Sequence, residues 1–164
     1  MAALTAAALI IFVIEAQIPL PVPAPGVKLG LANAVTLFAL FYRRGSGSGT
    51  PGLTTADAFM ILVCRILLGA LFTGRFVTFA FSLSGGLLGF TAQAVMRRFV
   101  TNKQVWACGA VGAVFHNIGQ ILAAMLLTGT TVIAAYLPVL VAAGIVTGTM
   151  TGIAAQLTLA RMKQ

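Results

Sequence analysis

The sequence predicts an all-α, polytopic membrane protein with six transmembrane helices, and three observations carry that reading. Hydrophobic residues make up 60% of the 164, charged residues only 7%, and the mean hydropathy is +1.06. A soluble domain of this length needs about a quarter of its residues charged to cover its surface. The apolar runs are long and continuous, unlike the alternating strands of an outer-membrane barrel, and helices satisfy their backbone internally in lipid. The ten basic residues, against two acidic ones, sit mostly in loops between the apolar runs. The net charge of +8 therefore reports orientation in a bilayer and not nucleic-acid binding.

Taken in order, the runs place spans at about 2–18, 28–43, 56–74, 76–99, 105–128 and 131–160, a single integral membrane domain over 1–164. The first run lacks a basic leader, and prolines follow it where a signal-peptide cleavage site would need small residues, so it reads as a retained span. Four of the six prolines (Pro19, Pro21, Pro23 and Pro25) alternate between the first two spans. Proline at every second position excludes helix and favours extended backbone, which makes this loop a short stiff strap. Pro19 and the glycines near residue 30 mark the ends of two short spans. Residues 44–53 form a flexible Gly/Ser loop with no chemistry assigned to it. Thr55 reads as the N-cap of the third helix, with Asp57 in its first turn as a structural carboxylate. Cys64 and Cys108 lie inside apolar runs, far apart, and read as buried small hydrophobes.

Seven of the ten basic residues (Arg43, Arg44, Arg97, Arg98, Lys103, Arg161 and Lys163) fall on one side of a six-span topology. The positive-inside rule makes that side cytoplasmic, with both termini there, and turns the proline strap outward. In a cell this means a multi-pass protein of the plasma membrane. Small residues recur at helix-contact spacing: Ala2/Ala6 and Ala3/Ala7, then Gly85, Gly86 and Gly89, then Gly144, Gly148 and Gly152. The glycine stripes read as internal packing. The alanine stripe lies at the start of a terminal helix and equally suits a partner protein.

Polar groups inside spans are costly, and their depth follows from a rise of ~1.5 Å per residue. Arg65 lies near mid-membrane. His116, Asn117 and Gln120 run from the middle to the outer half of the fifth span. Glu15, Asn33, Thr36, Ser82 and Ser84 fall in the same outer layer. Such a layer, drawn from five helices and open to the outside, is what a solute pocket requires. The plainer alternative is that Arg65 and Glu15 neutralise one another and His116–Asn117 only joins helices. Both readings stand for each residue alone; the whole set favours the pocket. One histidine without cysteines or paired carboxylates makes a poor metal site. No catalytic residue set is visible: neither an acid-rich pair for magnesium and diphosphate, nor a Walker loop, a Gly-x-Gly-x-x-Gly or a Ser/His/Asp set. No cofactor is implied.

The segments Glu15…Pro-x-Pro-x-Pro-Gly-Val-Lys28-Leu-Gly-Leu-Ala-Asn33…Thr36-Leu, Arg65-Ile-Leu-Leu-Gly69, Phe81-Ser82-Leu-Ser84-Gly-Gly86, Gly109…His116-Asn117-Ile-Gly119-Gln120 and Tyr136-Leu-Pro138 resemble the Gx transporter family. That family is often labelled heptaprenyl diphosphate synthase component I. It is similar to the substrate-binding S-components of energy-coupling-factor (ECF) importers. The resemblance covers nearly the whole chain in order, apart from the 45–52 Gly/Ser stretch. It implies a six-helix fold, an outward pocket capped by the first loop, and coupling to an ECF transmembrane T-component and ATPase subunits. It also implies that Ala3 and Ala7 dock on that partner. Glu15, Lys28, Asn33, Arg65, Ser82, His116, Asn117 and Gln120 are then expected to line or support a solute site. Lys28 and Arg65 against Glu15 leave one positive charge in excess, which suits a small anionic or polar aromatic solute. The other readings are a non-catalytic accessory subunit of polyprenyl diphosphate or quinone synthesis, and a structural subunit of an electron-transport system.

Overall fold

The computed structural model describes residues 2–17, 31–42, 53–74 and 76–162. They form six α-helices: α1 (Ala2–Gln17), α2 (Asn33–Phe41), α3 (Thr55–Thr73), α4 (Phe76–Met96), α5 (Val105–Thr128) and α6 (Leu137–Arg161). A single 3₁₀ turn, Val132–Tyr136, precedes α6. The proline strap and the Gly/Ser loop lie outside the described residues. Four of these helical stretches, α3, α4, α5 and the 3₁₀ turn with α6, are long and apolar enough to cross a membrane. Their outer faces carry Leu71, Phe72, Phe76, Leu126 and Val132, each more than 70% exposed, as lipid contact demands. The protein is a membrane-embedded helical bundle.

The sixth expected span is divided. Pro138 sits in the first turn of α6, where its missing N–H costs nothing, and the chain before it tightens into the 3₁₀ turn. The cap of α3 also moves by one residue from the expected Thr55. Thr54 is extended, and its Oγ1 accepts the Asp57 N–H at 3.1 Å, while Asp57 Oδ2 accepts the Thr54 N–H at 2.8 Å. Only Thr54 places the acid three positions on, as a reciprocal capping box needs. Thr54→Ala is expected to lower stability by about 1 kcal/mol, read as a shift in thermal unfolding in detergent, and Thr55→Ala to lower it less. Cys64 is exposed, contrary to its expected burial, because it shares the lipid-facing side of α3 with Met60, Leu67, Leu68 and Leu71. Cys108 is buried, its Sγ 3.5 Å from the Gln93 carbonyl oxygen. α3 and α5 end on Gly74 and Gly129 at φ 61° and 67°, a left-handed cap that glycine adopts without strain.

The second helix departs most from expectation. It has nine residues and starts at Asn33, not 28. At ~1.5 Å per residue it covers less than half of a ~30 Å hydrocarbon core. Its ending face is nevertheless the most enclosed in the bundle, with Thr36, Leu37, Ala39, Leu40 and Phe41 all buried.

The packing order explains this. Around the bundle, α1 meets α3, α3 meets α4, α4 meets α5 and α5 meets α6, while among the described residues α1 and α6 do not meet. The short α2 touches all five of the others and fills the break as a wedge. A groove of about 320 Å³ runs along that break, lined by Leu4 and Ala7 of α1, Ala34, Val35 and Phe38 of α2, and Ala154, Ala155 and Thr158 of α6.

The α4–α5–α6 side packs by facing glycines. A Cβ on Gly89 would lie 2.8 Å from the Gly112 carbonyl oxygen, and one on Gly119 2.8 Å from the Gly85 Cα. Gly109 and Gly148 oppose each other across α5 and α6, and Gly152 abuts the Trp106 backbone. The glycine stripes are thus spent within the chain. Lipid gives no hydrophobic drive for helices to associate, so close backbone approach and dispersion carry much of the cohesion.

Candidate functional site

Arg65 is the costliest group in the bundle. It lies ten residues into α3, ~15 Å along the helix and so near the bilayer midplane, and it is 4% exposed. An unsupported cation there costs about 2.5–3.5 kcal/mol on insertion scales. Two helices answer it. Arg65 Nη2 donates to Asn33 Oδ1 at 3.1 Å, and Glu15, itself 5% exposed at the end of α1, lies within electrostatic reach.

Glu15 does more than balance charge. Its Oε2 accepts the backbone N–H of Ala32 at 3.4 Å. Ala32 is the N-cap of α2 and offers no side-chain cap of its own. A carboxylate from α1 therefore supplies the acceptor and the negative charge that a helix N-terminus favours. The α2 N-terminus thus finds an acceptor inside the bundle: the Ala32 N–H meets a carboxylate from α1 in place of water.

The second group lies on α5. His116 is 5% exposed and packs in the notch left by Gly85 and Gly89 of α4; a Cβ on Gly85 would lie 2.9 Å from its Nδ1. Beside it, Ser84 Oγ donates to the Gly119 carbonyl at 2.6 Å. Asn117 turns the other way, its Nδ2 donating to the Leu140 carbonyl of α6 at 2.6 Å, over Gly144. The Asn117 amide is thus engaged in holding α6. Gln120 and Ser82 are both buried, on α5 and α4.

The bonds described reach the expected polar layer in two parts. One, of Glu15, Asn33 and Arg65, joins α1, α2 and α3; the other, of Ser82, His116, Asn117 and Gln120, belongs to α4, α5 and α6. The wedge α2 touches helices of both. Lys28 lies outside the described residues. Ala3 is exposed at the start of α1, whereas Ala7 is half-buried in the groove between α1 and α6.

Spare bonding capacity marks both groups. Among the described residues, Arg65 Nε, Thr36 Oγ1 and Gln120 Oε1 are buried and have no hydrogen-bond partner. Buried polar atoms are nearly always satisfied, so these require water or a ligand. Thr36 sits one turn along α2 from Asn33. Sequence reasoning missed two contributors. Gln93, 4% exposed against Gly112, was visible as a glutamine inside an apolar run. The Ala32 N–H carried no side-chain signal at all. Among the described residues no cluster of three metal-ligating side chains occurs.

No curated protein and no solved structure matches the chain. A family model described as heptaprenyl diphosphate synthase component I matches residues 4–158, a stretch that takes in Glu15, Arg65 and the His116–Gln120 segment. On that match, and as the membrane bundle described above, the chain belongs to the heptaprenyl diphosphate synthase component I family.

Proposed function

We propose that the protein is the solute-binding membrane subunit of an ECF-type importer. It takes a small polar or anionic solute from the outer side, and partner ATPases drive release inward. The chain itself performs no catalysis. The observation that carries this reading is the start of the short α2 against Arg65, halfway along the span-length α3, with Glu15 at its N-cap and Arg65 Nε buried without a hydrogen-bond partner among the described residues. Non-helical backbone at membrane depth is tolerated where protein or a cavity surrounds it, and broken helices mark the binding sites of many transporters. In this reading the strap closes the site, the basic end of the bundle faces the cytoplasm of a plasma-membrane protein, and a T-component docks over Ala3 and Ala7.

The family description favours a second reading, a non-catalytic membrane subunit serving polyprenyl diphosphate synthesis. Mass spectrometry of the purified protein, followed by titration of the identified molecule into wild type and Arg65→Ala, separates the two. The importer reading expects one saturable solute with affinity at least tenfold weaker in the variant. No bound species, and no thermal shift across vitamins and quinone precursors, removes it. The second reading expects prenyl transfer by a partner synthase to depend on this chain. Ala3→Leu is expected to abolish co-purification of a T-component while solute affinity holds; survival of the complex refutes the docking patch.

A further inference from the structure

The outer face of α4 carries a two-sided track that the solute site does not use. Leu87, Thr91 and Val95 stand in line along it at helical spacing, and Arg98 follows in the turn just beyond its end. On the α3 side lies a groove of about 440 Å³ containing Thr55, Phe90, Ala94 and Arg97. On the α5 side lies one of about 550 Å³ containing Leu88, Ala92, Met96, Phe99, Val111 and Phe115. Thr91 and Val95 border both grooves, so the two flank one ridge.

Both grooves run toward the same basic end. Arg97 Nη1 donates to Thr55 Oγ1 at 3.0 Å, which holds its guanidinium at the head of the ridge, and Arg98 is exposed beside it. Beyond the arginines the lining is apolar. Even Thr91 is spent, its Oγ1 donating to the Leu87 carbonyl at 2.8 Å. From Met96 to Leu87 the larger groove follows α4 for ~14 Å, about the depth of one leaflet.

We propose that this ridge is the seat of an anionic two-chain phospholipid. One chain lies in each groove, and the phosphate sits against Arg97 and Arg98. Guanidinium groups match phosphate geometry in pairs of hydrogen bonds. A zwitterionic head would set its own ammonium beside two cations, so an anionic head is preferred. Two grooves about a ridge suit two tails and not one.

Native mass spectrometry of the full chain with added phosphatidylglycerol, phosphatidylcholine or lysophosphatidylglycerol tests this. Two basic side chains near an anionic head predict roughly thirtyfold preference for phosphatidylglycerol over phosphatidylcholine. The exposed Arg98→Gln is expected to cut that preference about fivefold with helicity unchanged. Ala92→Phe, which fills the α5-side groove, is expected to weaken phosphatidylglycerol while sparing the one-chain lysolipid. Equal binding of the two diacyl lipids overturns the proposal, as does a preference unmoved by Arg98→Gln. Lysophosphatidylglycerol or farnesyl diphosphate binding as tightly as the diacyl lipid also overturns it, and assigns the track to a single-tailed amphiphile.

Discussion

Arg65→Met is expected to destabilise the bundle by about 3–5 kcal/mol, because removing one member of a buried pair leaves the other charge without compensation. The methionine fills similar volume, so the loss reads as electrostatic. Asn33 Oδ1 loses its donor, and Glu15 faces the α2 N-terminus without the Arg65 cation. Adding Glu15→Gln to Arg65→Met is expected to restore most of the stability, since a neutral amide still offers an acceptor to Ala32. The double variant is the informative one. If the pair serves only to neutralise itself, solute affinity returns with stability. If Arg65 meets the solute, stability returns and affinity does not. Reversible unfolding in mixed micelles and solute titration on the same samples measure both quantities, and the coupling follows from the cycle.

The second large effect is steric. Gly148→Leu is expected to part α5 from α6. A Cβ at Gly148 would lie 2.5 Å from the Gly109 carbonyl oxygen, 2.7 Å from the Ala113 Cβ and 2.8 Å from the Ala110 Cα. Two of these three are backbone atoms, which cannot swing aside. Overpacking of this kind costs about 1–3 kcal/mol in cores that can adjust, and a backbone contact leaves less room to do so. The Asn117–Leu140 bond should break with it, as both lie on the same interface. A lowered midpoint of thermal unfolding in detergent is the readout. Val146→Leu, on the exposed side of the same helix, is expected to leave the midpoint unchanged.

The long helices were legible because apolar length is what a bilayer demands: α3, α4 and α5 begin within a residue of the expected positions. α2 was not, and the reason is physical. Apolar character continues through Leu31 and Ala32, yet the helix starts only at Asn33, after Glu15 from another helix accepts the Ala32 N–H. Hydropathy records what a side chain avoids and is silent on where a distant carboxylate will be. The polar residues were found for the opposite reason: Arg65, His116 and Gln120 stand out in an apolar run whatever they touch. Their individual partners were not legible, because neighbouring positions such as His116 and Asn117 point to different helices, one to the glycines of α4 and the other to the Leu140 carbonyl. Thr54 and Thr55 differ by the same logic, since only the spacing to Asp57 decides between them.

The wedge helix has a mechanical consequence. Its first residue holds Arg65, and five positions on, its Phe38 forms one wall of the groove between α1 and α6. A hydrogen-bonded rod of nine residues with no proline or glycine in it has no joint at which to bend. Whatever displaces Asn33 must carry Phe38 with it, and with Phe38 the width of the gap beside Ala7. The bundle is thus a ring with one loose stave, held at its inner end by Arg65 and Glu15 and bordering at its other α1 and α6, the one adjacent pair in the ring without close backbone contact among the described residues.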